Sequence, residues 1–221
     1  MTLPSDRRII LPTETHAVSD LLTDSLALLA QHPGPGNAEA FFACLAIGMQ
    51  KLLKLSLGLD GVQRHGGWPS RAMMRDRYGH DIQAMDTEVR QIIRDHADRN
   101  QGHVPSILDG LDSDPLIGQL IEAVTQYATH DPLHDLDHLA EDPPTAVSPR
   151  HLWSDLGAHV STHELIAETL STLDNPSAWP KAVVAGVDRS IRAWVDCYRL
   201  AWEHGVFGPL GVQMSTALRV V

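Results

Sequence analysis

Apolar residues recur at three- and four-residue spacing in every strongly patterned stretch of this 221-residue chain, and no stretch alternates over the length of a strand. Val18, Leu21, Leu22, Leu26 and Leu29 form one buried stripe, which stops at His32-Pro33-Gly34-Pro35-Gly36. Asn37 is placed to cap a second helix, in which Phe41, Leu45, Met49, Leu52 and Leu53 repeat until glycines 58 and 61 end it. A third helix over about 80–98 puts Ile82, Met85, Val89, Ile92 and His96 on one side, with Asp86, Glu88, Arg90 and Arg94 largely elsewhere. After a loop around Gly102 and Ser106, Leu116, Ile117, Leu120, Ile121, Val124 and Tyr127 give a fourth helix the wide apolar face that a bundle requires. The chain therefore reads as an all-α helical bundle of six to eight helices, one domain over 1–221.

The C-terminal half is less regular. Asp131-Pro132 opens a short helix that Pro143-Pro144 closes, and Ser161-Thr162-His163-Glu164 has the capping-box form ahead of Leu165, Ile166, Thr169, Leu170 and Leu173. Val184, Val187, Ile191, Trp194, Val195, Tyr198 and Trp202 define a long last helix, which the glycines from Gly205 onward cannot extend. Trp194 and Trp202 are eight apart and share a face, suited to a bundle seam or a dimer interface.

Twenty-eight acidic residues against seventeen Lys and Arg give a net charge of −11, which opposes broad binding to DNA through many phosphate contacts. A focused basic region remains in Lys51, Lys54, Arg64, Arg71, Arg75 and Arg77. Cys44 and Cys197 each fall in an apolar helical pattern and read as small buried hydrophobes. The first residues carry only a short apolar run before Pro12, so neither a signal peptide nor a membrane anchor is expected, and the protein should be soluble and cytoplasmic. No glycine-rich phosphate loop follows a strand pattern, and no cofactor is expected.

The stretch 46–82 carries the most specific signal. Ala46, Gln50, Lys51 and Lys54 on the second helix, then a loop, then His80-Asp81-Ile82 opening the third, resemble the HEPN superfamily of helical domains. Members typically read Ala-x-x-x-Glu-Lys-x-x-Lys and then His-Asp-Leu in a four-helix bundle; here Gln50 stands where the acid is usual. The resemblance implies a HEPN-like core over about 16–130 with a C-terminal helical extension over about 131–221. Many HEPN proteins are metal-independent ribonucleases of toxin, defence or RNA-processing systems, marked by an Arg and a following His with four to six residues between them, and Arg75 and His80 fit the shortest form. The resemblance thus implies Arg75, Asp76 and His80 as catalytic residues, Lys51, Lys54, Arg71 and Arg77 as phosphate or RNA contacts, and a homodimer with an RNA substrate or an antitoxin partner.

The chemistry suits those side chains. Metal-independent RNA cleavage needs a base for the 2′-hydroxyl, an acid for the leaving oxygen and a cation for the charge on phosphorus. Histidine exchanges protons near neutrality and a guanidinium stays charged. Residues five apart diverge by roughly 140° around an unbroken helix, so Arg75 and His80 meet only if Gly79 turns the chain. A structural reading competes: Asp81 caps the helix that starts beside it, and the segment serves a noncatalytic interaction or assembly module. A second cluster, His130, His134, His138 and Asp135, has spacing compatible with metal ligation and with a metal-dependent phosphohydrolase, and also with the polar face of a short amphipathic helix.

Overall fold

A computed structural model describes residues 5–31, 35–97, 104–129, 147–162 and 178–220, and among them there are nine α-helices and no strand. They are α1 (Ser5–Gln31), α2 (Ala38–His65), α3 (Arg71–Tyr78), α4 (Ile82–Ala97), α5 (Val104–Asp112), α6 (Pro115–Thr129), α7 (Pro149–Thr162), α8 (Ala178–Glu203) and α9 (Gly208–Ser215). The chain is an all-α helical bundle, as its periodicity predicts.

The bundle is organised around α2, which packs against α1, α4, α6, α7 and α9. A helix with neighbours on so many sides needs apolar residues all round, and Phe42, Leu45, Met49, Leu52, Leu53 and Leu59 are among the most fully buried side chains. Among the described residues α2 is the one helix long and apolar enough to cross a membrane, and most of its apolar window is buried inside the bundle. Glu14 meets Lys51 while Leu22 lies against Gly48, so partners descend along α2 as they ascend along α1: the two run antiparallel. A Cβ at Gly48 would come within 2.8 Å of Leu22 Cδ2, which explains glycine in mid-helix at this close approach.

The loop after α2 folds back onto the same helix. The ring of Trp68 occupies the space of a side chain at Gly58, where a Cβ would lie 2.2 Å from Cζ2. Gly58→Ala is therefore expected to expel the indole and cost about 1–3 kcal/mol, the usual range for overpacking; urea denaturation and a red shift of the Trp68 emission, resolved by comparison with Trp68→Phe, would measure it.

The long C-terminal helix is built into the core. Trp194, Tyr198 and Trp202 of α8 are fully buried, and Trp202 Nε1 donates to Ser56 Oγ on α2 at 2.9 Å. The chain then returns to α1, where Ser19 Oγ donates to Ala217 O and accepts from Arg219 N. Cys197 is buried, which pushes its thiol up to about 12, whereas Cys44 is only half-buried, its thiol raised first by desolvation and then by Asp24.

Several expectations need correction. Among the described residues alone nine helices stand, where six to eight were expected for the whole chain. α2 passes through both glycines to His65, because Gly58 and Gly61 serve the close approach of Trp68 and Pro69 instead of ending the helix. Two further helices were not expected: α3 falls in a stretch read as loop and α5 begins within the loop expected around 102–106, while α7 falls where the pattern is weak. α1 begins well before Val18 and contains Pro12. Asp86 and Arg90, placed largely on the solvated side of α4, are 4% and 8% exposed. The His130, His134, His138 and Asp135 cluster and the helix expected after the capping box at 161–164 lie outside the described residues.

Candidate functional site

Between the end of α2 and Asp81 lies α3, a short and largely exposed helix fixed at both ends. Ser70 caps α3 by accepting from Met73 N at 3.1 Å, which gives this polar sequence a helical start despite its weak apolar stripe. Gly79 ends it with φ +51° and ψ −113°, the dihedrals of the first central position of a type II′ turn, and Asp81 N closes the turn by donating to Tyr78 O at 2.9 Å. Only glycine adopts that conformation without strain. Asp81 Oδ1 then accepts from Ala84 N at 2.8 Å, so Asp81 is the N-cap of α4, and Gln83 N donates to Thr125 Oγ1 of α6.

Helix α2 grips this turn from below. Lys54 Nζ donates to Gly79 O at 2.7 Å, and Gln50 Nε2 lies 3.1 Å from the same oxygen and 2.9 Å from His80 Nδ1. Partial burial lowers the Lys54 ammonium from its usual value. On the other side Tyr78 OH donates to Glu88 Oε1, which also pairs with Arg77; burial first, and then that hydrogen bond, push Tyr78 up to about 12. The Arg77 guanidinium carbon lies 5.3 Å from the Tyr78 ring centroid, within cation–π range.

The residues singled out by sequence divide into three groups. Arg71, Arg75, Asp76, Arg77 and His80 all stand exposed on α3 and its turn, with Arg75 Nε pairing with the adjacent Asp76 at 2.7 Å. Lys54 is engaged with the turn backbone. Lys51 points instead to α1, where Nζ meets Glu14 Oε2 at 2.6 Å. Gly79 does bend the chain between Arg75 and His80, and no hydrogen bond joins those two side chains within the chain. A shallow depression beside the turn is lined by Arg64, Arg77, Asp81, Thr87, Glu88 and Asp95; Arg75 and His80 are outside it. Of the remaining histidines, His151 is exposed and lies 3.8 Å from Asp155. Among the described residues no group of three or more His, Cys, Asp or Glu could hold a metal ion.

Sequence reasoning missed the most heavily bonded polar cluster. Asp86 Oδ2 accepts from Arg90 Nε at 2.6 Å, while Asp86 Oδ1 accepts from Trp194 Nε1 at 2.7 Å and from Tyr198 OH at 2.5 Å. Arg90 continues to Asp112 Oδ1 at 2.6 Å, and Arg94 pairs with the other Asp112 oxygen. Desolvation opposes the charge on Arg90, but Asp86, and then its hydrogen bonds, outweigh it and leave the guanidinium more firmly protonated than usual. Burial raises the Asp112 carboxyl, yet the hydrogen bonds from Arg90 and Arg94 prevail and hold it below the usual carboxylate range. Tyr198 is pushed well up, by burial first and then by the Asp86 charge. The cluster ties α4, α5 and α8 together, every buried side-chain polar atom among the described residues has a partner, and the arrangement is that of a structural hub.

Comparison of the chain with protein-family models, curated proteins and solved structures gives no match. The chemistry of α3 and its turn therefore rests on their own geometry.

Proposed function

We propose that this chain is a HEPN-like helical protein that acts on RNA in a toxin or phage-defence setting, as a cytoplasmic homodimer, with α3 and the following turn as its phosphate-binding surface. One observation carries the reading: in a chain of net charge −11, Arg71, Arg75, Arg77 and His80 are exposed together on one eight-residue helix and its turn. Exposed guanidinium groups bind phosphodiesters with little desolvation, and a short cationic element in an acidic chain focuses a polyanion at one place. A toxin of this kind would be held by an antitoxin partner.

Metal-independent endoribonuclease activity is a second reading, favoured by the Gly79 bend that Arg75 and His80 need in order to face one phosphate. His80 would then transfer the proton, Arg75 stabilise the charge on phosphorus and Asp76 orient its neighbour, with each protomer supplying one set. The competing noncatalytic assembly module is favoured by Asp81 capping α4 and by Gln50 and Lys54 spending their donors on the turn.

The test is RNA binding and cleavage in EDTA by wild type, Arg75→Ala and His80→Ala, all three shown to be folded by circular dichroism. Arg75→Ala is expected to weaken binding across sequences and to lower the salt slope by about one. Cleavage present in wild type and lost in both variants establishes the enzyme. Equal binding by all three, with no cleavage, leaves the assembly module.

A further inference from the structure

We propose that Gln50 is a positioning residue that fixes the His80 ring as its Nε2–H tautomer, making His80 a hydrogen-bond donor toward an acceptor-only anion. Gln50 Nε2 lies 3.1 Å from Gly79 O and 2.9 Å from His80 Nδ1. A backbone carbonyl can only accept, so the side-chain atom facing it must be the amide nitrogen, which settles the orientation of an amide that heavy-atom positions alone leave open. That nitrogen has two hydrogens, one for each contact. Nδ1 of His80 is therefore an acceptor, and the hydrogen of the neutral ring sits on Nε2.

The surroundings hold this arrangement in place. Lys54 Nζ also donates to Gly79 O, at 2.7 Å, so the carbonyl that orients Gln50 is itself anchored from α2. Gly79 cannot readily rotate away, because its positive φ is fixed within the closed Tyr78–Asp81 turn. The exposed edge of His80 consequently offers a hydrogen and no lone pair. A ring so held cannot abstract a proton through Nε2, which counts against the endoribonuclease reading with His80 as the base and leaves the RNA-binding reading untouched. It can donate to a phosphodiester or phosphate oxygen beside Arg75. That choice of ligand rests on the RNA reading above; the tautomer itself does not.

The experiment is long-range proton–nitrogen NMR of the full chain labelled with nitrogen-15, at a pH where the imidazole is neutral, with the His80 signals assigned by their loss in His80→Asn. Wild type is expected to show a pyridine-like Nδ1 and a pyrrole-like Nε2. Gln50→Glu should reverse the two, since a carboxylate can only accept and would take the hydrogen from Nδ1, with Lys54 alongside to balance its charge. Gln50→Met, which neither donates nor accepts strongly, should give intermediate shifts. A pyrrole-like Nδ1 in wild type, or an unchanged pattern in Gln50→Glu, overturns the proposal. A separate titration with single-stranded RNA judges the RNA reading: the expected tautomer pattern without any RNA-induced shift of the His80 signals sinks that reading while the tautomer assignment stands.

Discussion

Asp86→Ala is expected to cost about 3–5 kcal/mol of stability, the range for breaking a buried ion pair by removing one partner. At about 2–4 °C per kcal/mol for a chain of this size, Tm should fall by roughly 6 to 20 °C. The size follows from what is stranded: the Arg90 guanidinium, in a residue only 8% exposed, together with Trp194 Nε1–H and Tyr198 OH, both buried. Asp86→Asn retains the volume and one acceptor oxygen but turns an amide hydrogen toward Arg90, so it should lie between wild type and Asp86→Ala. Replacing both charges with apolar residues, Asp86→Leu with Arg90→Met, is neutral or stabilising in some proteins. Here it should not restore wild-type stability, because the indole and phenol donors of α8 would still lack an acceptor. Differential scanning calorimetry on the four proteins decides this, and losses below about 1 kcal/mol for both single variants would rule out a hub at Asp86.

Acid should strike the same network. Asp112 is held below the usual carboxylate range, so its contribution is fully present above the unfolded value near 3.9 and is lost as the pH falls through the folded value. Denaturation midpoints between pH 5 and pH 2 should therefore fall less steeply in Asp112→Asn than in wild type.

How far the sequence discloses this molecule depends on where each residue's partners sit. The stripes of α1, α2, α4, α6 and α8 are long enough for their period to be plain, and Phe41, Leu45 and Met49 or Val187, Ile191 and Trp194 are buried as that period requires. Arg71–Tyr78 is harder to read because it has almost no apolar face; its helical state comes from the cap at Ser70 and the stop at Gly79, a serine and a glycine placed where those signals belong. Asp86 and Arg90 show the opposite failure. Ile82, Asp86, Val89, Arg90 and Ile93 share one side of α4 by spacing alone, but charge argues for solvent until a partner is known, and Trp194 lies 108 residues away. The Lys-Lys edge of α2 is similar: nothing local tells Lys51 to find Glu14 or Lys54 to find a carbonyl on the next turn. The acceptor role of His80 Nδ1 has the same origin, since it depends on Gln50 thirty residues earlier.

Trp202→Ala should be comparably damaging for a different physical reason, and the contrast makes the two results informative together. Trp202 is fully buried between α2 and the start of α9, with Gly211 beside it: a Cβ there would lie 3.8 Å from Trp202 Cα and Cβ. Truncating a buried indole costs about 3–5 kcal/mol, through lost transfer free energy and the cavity left behind. Little of that cost is polar, because Ser56 Oγ still donates to Leu52 O at 3.0 Å once the indole hydrogen is gone. The destabilisation should thus be nearly independent of pH between 3 and 7 and insensitive to salt. Trp202→Phe, which leaves a smaller cavity, should recover more than half of the loss. Ser56 also lies just two residues beyond Lys54 on α2, so hydrogen exchange in Trp202→Ala should quicken first at α8 and α9, with α2 following. If exchange instead quickens first at α3 and its turn, α2 holds that turn less independently of α8 than its own contacts through Gln50 and Lys54 indicate.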